Sequence, residues 1–152
     1  MAASAQTQPD AFVLDTSALL RLYLADGPLP PSFELAMQRG CSGDALLLVP
    51  DLCLHECASV LLKQVQRQLL SLDECRALLA DLLQLPLRPT SASELALPAL
   101  EQAMSLSLSV YDASFLALAL KHDALLITAD KQLAKAAASL GCLADADLVQ
   151  RS

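Results

Sequence analysis

The chain has 152 residues, a formal net charge of −7 and a hydrophobic content of 55%, while aromatic residues make up only 3%. This length predicts a single domain spanning residues 1–152, and such an apolar composition excludes a disordered chain. The acidic balance excludes a protein that grips nucleic acid with a broad basic face. It does not exclude an enzyme that reaches phosphates through bound metal ions.

The cysteines and the termini bear on the cellular compartment. The five cysteines have no framework spacing, which indicates reduced thiols, and Cys53 and Cys57 lack the further ligands that a zinc site would need. No apolar run approaches the ~18 residues of a membrane helix. Residues 1–10 have neither the basic nor the apolar region of a secretory signal. We therefore expect a cytoplasmic protein that does not contact a membrane.

Short apolar strands alternate with helices along the chain. Strands are predicted at residues 12–14, 45–49, 85–88, 124–127 and 142–143. Helices are predicted at residues 17–25, 32–39, 51–70, 71–84, 92–106, 111–122 and 130–140. Gly40 is expected to end the second helix, Ser71 and Glu74 to form a capping box, and the tail from Asp145 to be weakly ordered. Buried strands separated by helices predict an α/β sandwich with a parallel sheet.

Four carboxylates occupy informative positions in these elements. Asp15 and Asp130 each follow a predicted strand and open a helix, so each could serve only as an N-cap. Asp112 is the only acid in a helix that is apolar nearly all round and therefore buried, where an unpaired carboxylate is costly unless a cation compensates it. Glu56 begins a polar stripe on its helix and, taken alone, would be interpreted as a solvated side chain.

The four acids point to one site when they are considered together. In open parallel sheets, ligands bind beyond the carboxyl ends of the strands. If the first and fourth strands are neighbours, all four acids face one cleft, where like charges repel unless Mg²⁺ or Mn²⁺ neutralises them. Two such ions ~3.5–4 Å apart could clamp a scissile phosphate and activate water. The pattern thus predicts a metal-dependent nuclease.

Four segments carry a resemblance to a known family, and they are residues 13–19, 50–62, 111–119 and 128–133. With VLDTSAL in the first, Glu56 in the second, Tyr111-Asp112-Ala113 in the third and Thr128-Ala129-Asp130 in the fourth, the chain resembles the PIN-domain ribonucleases. The similarity is greatest to VapC-type toxins of bacterial toxin–antitoxin pairs, and it covers a core of about residues 11–143.

The resemblance implies a three-layer α/β/α fold with a parallel sheet in the strand order 3-2-1-4-5. It implies Mg²⁺- or Mn²⁺-dependent cleavage of RNA, with Asp15, Glu56, Asp112 and Asp130 as the catalytic and metal-binding acids and Thr128 as the hydroxyl of the site. Family members also form homodimers and are inhibited by a cognate antitoxin.

Substrate contacts and partner surfaces are suggested by other positions. Lys63 and Arg67 continue the polar stripe of Glu56 and, with Lys131, are either contacts for RNA phosphates or solvated charges. The leucine-rich stretch 69–83 carries more apolar surface than one face of a small sheet needs. A homodimer and an antitoxin helix lying in a nearby groove would account for it.

The residues that follow the predicted strands exclude two other phosphate-handling folds. A receiver domain would need a phospho-accepting Asp after the third strand, and residues 85–90 contain none. A haloacid-dehalogenase-type phosphatase would need Asp-x-Asp after the first strand, where the second position is Ser17. The alternative that stays open is a catalytically silent PIN-like domain that serves as a protein-binding scaffold.

Overall fold

The computed structural model describes residues 10–150, so the segment predicted not to be a secretory signal lies largely outside the described residues. A parallel sheet forms the centre, with the strand order β3-β2-β1-β4. The strands are β1 Ala11–Leu14, β2 Leu46–Pro50, β3 Leu87–Thr90 and β4 Leu125–Ile127. The predicted fifth strand is reduced to one bridge, in which Leu143 pairs in parallel with Leu126. The predicted α/β fold and the order 3-2-1-4 are confirmed, and the bridge lies next to β4, where the fifth strand was expected.

Helices flank this sheet and connect its strands. Those before β3 are α1 Thr16–Leu20, α2 Phe33–Ser42, α3 Leu52–Gln66 and α4 Leu72–Leu83. Those after β3 are α5 Ala92–Leu106, α6 Val110–Lys121, α7 Lys131–Ser139 and α8 Asp147–Gln150. Helix α6 packs against β1, β2 and β4, and α5 packs on α6.

Burial follows the apolar runs of the sequence. Strand β1 is buried throughout, and α6 buries six consecutive or nearly consecutive residues between Ala113 and Ala119. Such a helix is apolar on nearly every side because it lies between the sheet and α5.

Within the described residues, no single helix is long and apolar enough to span a bilayer. Helices α5 and α6 together meet that test by length and composition, although they are bent by 110° relative to each other.

Several boundaries differ from the sequence prediction. The third strand, predicted at residues 85–88, lies two residues later, at Leu87–Thr90. The first helix stops at Leu20, since Arg21, Leu22 and Tyr23 donate to carbonyls three residues back and tighten the chain into turns. The third helix ends at Gln66 because Gln68 adopts the left-handed conformation, with φ of 59°. The tail predicted to be weakly ordered contains the short helix α8.

Gly40 does not end its helix, contrary to the prediction. Helix α2 continues to Ser42 and is terminated by Gly43, which has a φ of 84°. A Cβ at Gly40 would lie 2.4 Å from Cγ of Leu47 in β2. Glycine is therefore required at this position for close packing of the helix on the sheet rather than for chain reversal.

The leucine-rich stretch is divided between the core and the surface. Leu82 is fully buried, whereas Leu69, Leu72 and Leu83 are 67%, 50% and 53% exposed. The capping box at the start of α4 is confirmed, because the Ser71 hydroxyl accepts from the N–H of Glu74 while the Glu74 carboxylate accepts from the N–H of Ser71. The helix is thus well formed and leaves apolar side chains uncovered in the single chain.

Candidate active site

A cleft of about 360 Å³ opens beyond the carboxyl ends of β1 and β4. All four carboxylates predicted from the sequence line it, and they are Asp15, Glu56, Asp112 and Asp130. The strand order explains this convergence, since β1 and β4 are neighbours and place the residues that follow them side by side. A second cleft of about 160 Å³ has mainly apolar walls and contains Asp51 as its only acid.

Asp15 is the most buried of the four acids, at 4% exposure. It caps α1 by accepting a hydrogen bond of 2.8 Å from the N–H of Ala18, and it accepts further bonds from the hydroxyls of Ser17 and Thr128. Burial raises the pKa of this carboxyl, and the nearby charge of Asp130 acts in the same direction, while the hydrogen bonds oppose the shift. The protein therefore holds a carboxylate whose negative charge is costly without a cation.

Asp130 is exposed and caps α7 by accepting a hydrogen bond of 2.9 Å from the N–H of Leu133. This bond engages Oδ1, and Oδ2 accepts none from the described residues. The cap interpretation is thus correct for Asp130, as it is for Asp15. Capping does not remove either residue from the site, because both side chains also line the cleft.

Asp112 and Glu56 enter the cleft from α6 and α3 and are both half-buried. The prediction of a buried Asp112 is wrong, although the helix that carries it is buried. Asp112 lies in the first turn of α6, where Ser109 accepts from its N–H at 3.0 Å, and at this end of the helix the side chain faces the cleft. Neither carboxylate has a hydrogen bond with another described residue, so both are available to a ligand.

The donor chemistry of the cleft fits a hard divalent cation, although the side chains are not drawn together. Among residues 10–150, no three His, Cys, Asp or Glu side chains lie close enough together to hold a metal ion. Carboxylate and hydroxyl oxygens are nevertheless the ligands that Mg²⁺ and Mn²⁺ prefer. A cation would also favour the charged form of Asp15, which burial disfavours. Asp15, Glu56, Asp112 and Asp130 thus have the ligand chemistry that such a cation requires, and all four line the same cleft.

The floor of the cleft is built by hydrogen bonds between α1, α3 and α6. The Thr16 hydroxyl lies 3.0 Å from that of Tyr111 and 3.4 Å from the sulfur of Cys53. Burial raises the pKa of Tyr111, whose ring meets Phe115 edge to face at 5.3 Å between centroids. Cys53 is fully buried, as is Cys57, so the interpretation of these cysteines as core thiols is confirmed.

The remaining predicted contacts lie outside the lining of this cleft. Lys63, Arg67 and Lys131 are exposed, and none of them is among its walls. Thr128 is 6% exposed, and its hydroxyl donates to Asp15 and accepts from the N–H of Asp130. Its position is that of a residue that fixes two acids relative to each other.

Two charged residues of the cleft, Arg21 and Asp26, were missed from the sequence. Arg21 lies one turn after Ser17 and interrupts an otherwise apolar run from residue 18 to residue 24. A lone cation in such a run is a usable signal. Asp26 precedes Gly27 in a turn. Aspartate and glycine are both common in turns, so the sequence at this point gives no indication of function.

A family model for the PIN domain matches residues 12–139. The chain belongs to the PIN-domain family. Ribonuclease VapC3 of Pyrobaculum aerophilum is 34% identical to it over 125 residues, which cover 81% of this chain and 92% of that protein. The resemblance to PIN-domain ribonucleases of the VapC type is thereby confirmed.

Solved structures show the same fold. The crystal structure of PAE2754 from Pyrobaculum aerophilum superposes with a TM-score of 0.66 and 20% identity, covering 93% of this chain and 88% of that one. Mycobacterium tuberculosis VapC20, described as a Sarcin-Ricin loop cleaving toxin, has a TM-score of 0.58 and 18% identity. Its match covers 82% of this chain and 94% of VapC20.

Proposed function

We propose that this PIN-domain protein is a Mg²⁺- or Mn²⁺-dependent endoribonuclease and the toxin of a VapBC-type toxin–antitoxin pair. The observation that carries the proposal is the convergence of four carboxylates on one cleft at the carboxyl edge of the sheet. RNA as the substrate is supported by the relative named Ribonuclease VapC3 and by the structural neighbour described as a cleaving toxin.

Asp15, Glu56, Asp112 and Asp130 would hold the metal ions. When bound, a divalent ion supplies positive charge that polarises the scissile phosphate and makes a coordinated water more acidic. Asp15 is the fixed member of the set because Ser17, Thr128 and the N–H of Ala18 hold its carboxylate. Asp112 and Glu56 have carboxylates without described hydrogen-bond partners, so either can accept the proton of the attacking water.

The other predicted contacts take supporting roles in this proposal. Thr128 positions Asp15 and Asp130 rather than touching RNA, because its hydroxyl bonds to both residues and its side chain is not among the walls of the cleft. Lys63, Arg67 and Lys131 contact phosphates of the RNA that flanks the scissile bond outside the cleft. Their exposure supports this role, since long, positively charged side chains on the surface can reach the RNA backbone while their charged groups stay hydrated.

The proposal extends to partners and compartment. A cognate antitoxin and a second copy of the chain would cover the leucines that α4 and the segment before it expose. The five cysteines support a reducing cytoplasmic location, because all of those in the described chain are free thiols.

A cleavage assay with and without chelator tests the activity. Purified protein is incubated with total RNA, tRNA and ribosomal RNA fragments in Mn²⁺, in Mg²⁺ and in EDTA. We expect discrete RNA fragments with either metal ion and none in EDTA. Cleavage that persists in EDTA would contradict metal dependence.

The alternative is a silent domain that acts as a protein-binding scaffold. It is favoured by one observation, namely that no three acids of the described chain lie within reach of one metal ion. Absence of cleavage with either metal ion, in protein shown to be folded, would support it. Binding to an antitoxin without any cleavage of RNA would complete the case for a scaffold.

A further inference from the structure

One cationic residue, Arg21, lines the cleft among five acids. The acidic residues of the lining are Asp15, Asp26, Glu56, Asp112 and Asp130. An RNA phosphate that enters this cleft meets a strongly negative surface, which metal ions offset only where they bind. A fixed positive group at the wall would lower the cost of bringing in the anion. Arg21 is the residue of this cleft that can provide it.

One nitrogen of the Arg21 guanidinium is unsatisfied within the described chain. Its Nη1 is buried and has no hydrogen-bond partner, and the residue forms no ion pair with any described acid, although acids share its cleft. A buried donor without a partner is destabilising, and a charged one more so. Arg21 as a whole is half-buried and lines the cleft, so a rotation that turns the guanidinium toward an anionic oxygen in the cleft would remove this cost.

The guanidinium of Arg21 packs closely against Gly27. A Cβ on Gly27 would lie 2.0 Å from Nη1 and 3.0 Å from Cζ of Arg21, so any side chain at this position would displace the group. Gly27 also has a φ of 147°, which other residues rarely adopt. The turn that follows α1 therefore seats the guanidinium against backbone and restricts where its donors point.

We propose that Arg21 binds the non-bridging oxygens of an RNA phosphate in the cleft. The inference rests on the proposed ribonuclease function and adds a substrate-binding residue to it. A guanidinium presents a planar pair of donors that matches two phosphate oxygens, and a lysine offers only a point charge. A phosphate is favoured over a carboxylate from a protein partner because four of the acids that share the cleft are the metal ligands of the proposed ribonuclease, and bound metal ions attract the phosphates of a substrate.

RNA binding measured without turnover tests the proposal. The probe is a 20-nucleotide single-stranded RNA labelled with fluorescein, followed by fluorescence anisotropy in Ca²⁺ over a series of salt concentrations. We expect Arg21→Met to weaken binding roughly tenfold and to flatten the slope of log K against log salt by about 0.7, the loss of one phosphate contact on a single strand. Arg21→Lys should keep the slope and recover only part of the affinity.

Two further variants separate local from general effects. Gly27→Ala keeps every charge but pushes the guanidinium away, so it should weaken binding in the same direction. Arg76→Met removes an exposed arginine on α4, outside the cleft, and should leave binding unchanged. Melting temperatures establish that each variant is folded; if Arg21→Met does not fold, Arg21→Lys and Gly27→Ala decide the question.

The outcomes distinguish this inference from the proposed function. Wild-type affinity and salt slope in Arg21→Met and in Gly27→Ala would overturn the role of Arg21 while leaving the ribonuclease proposal intact. Normal RNA binding combined with weakened antitoxin binding would make Arg21 a protein contact and would also overturn it. A wild-type protein that neither binds nor cleaves RNA would overturn both.

Discussion

The hydroxyl of Thr128, just after β4, donates a hydrogen bond to the carboxylate of Asp15, just after β1. The same hydroxyl accepts from the N–H of Asp130 at 2.9 Å. One small side chain therefore fixes two acids of the cleft that are far apart in sequence. The bond also holds Asp15 in a buried position where its ionised form is disfavoured, which has consequences that can be measured.

Replacing Asp15 should stabilise the metal-free protein at neutral pH. Because burial raises the pKa of Asp15 in the folded state, the folded protein retains this proton at pH values where the unfolded chain has lost it. The wild type thus loses stability as pH rises from the ordinary aspartate pKa through the raised one, and Asp15→Asn does not. Melting curves in EDTA from pH 3.5 to 7.5 should show an advantage of the variant that grows with pH.

Asp123→Asn is the matched control for that experiment, since Asp123 is exposed and lies outside the cleft. A pH-dependent advantage of the same size in Asp123→Asn would show that the effect is not specific to the cleft. An advantage of Asp15→Asn that is largest at acidic pH would contradict the assignment of a raised pKa.

Asp112→Asn and Asp130→Asn should each abolish metal-dependent cleavage of RNA and preserve the fold. An amide removes the charge that a cation requires, yet asparagine caps helices as well as aspartate does, so α7 retains its N-cap in Asp130→Asn. RNA cleavage in Mn²⁺ and circular dichroism melts measure the two properties. Full activity in both variants would exclude these carboxylates from catalysis, and Asp123→Asn should remain active as the control.

Divalent metal ions should stabilise the folded protein. A ligand that binds only the folded state adds about 2.7 kcal/mol at a hundredfold excess over its Kd, so millimolar Mn²⁺ or Mg²⁺ should raise the Tm. EDTA should reverse the shift, and Asp112→Asn should reduce it. An unchanged Tm with every divalent ion, alongside RNA cleavage in EDTA, would argue against a metal site.

The chain should form a homodimer through the exposed leucines of residues 69–83. Leu69, Leu72 and Leu83 present apolar surface that a two-fold interface of ordinary size, about 1,600 Å², would cover. Static light scattering at tens of micromolar should give twice the monomer mass. Leu69→Glu combined with Leu83→Glu should yield a monomer, whereas Leu97→Glu, an equally exposed leucine on α5, should remain dimeric.

The dimer prediction can fail without affecting the nuclease. A wild-type monomer at these concentrations would remove the dimer and leave the leucines for an antitoxin helix. The proposed cleavage depends on the carboxylates of the cleft, which the exposed leucines do not line.

Local patterns in the sequence determined the elements of this protein. Helix α5 begins and ends at the predicted residues, and the Ser71–Glu74 capping box forms as expected, because both depend on neighbours within one or two turns. The buried strands were predictable for the same reason, since continuous apolar runs bounded by turn residues have few alternatives. The prediction for Gly40 was wrong because glycine is needed there for close packing against Leu47, a residue of another element.

Only the tertiary structure decided which residues share the cleft. The acids were visible as candidates in the sequence, but their convergence depends on β1 and β4 being neighbours and on α3 and α6 starting at the same edge of the sheet. The half-exposed state of Asp112 and the unsatisfied guanidinium nitrogen of Arg21 were likewise invisible, since burial is set by what packs against a side chain. Periodicity specifies the face of an element, whereas the position of that face relative to a distant residue is fixed only when the chain is folded.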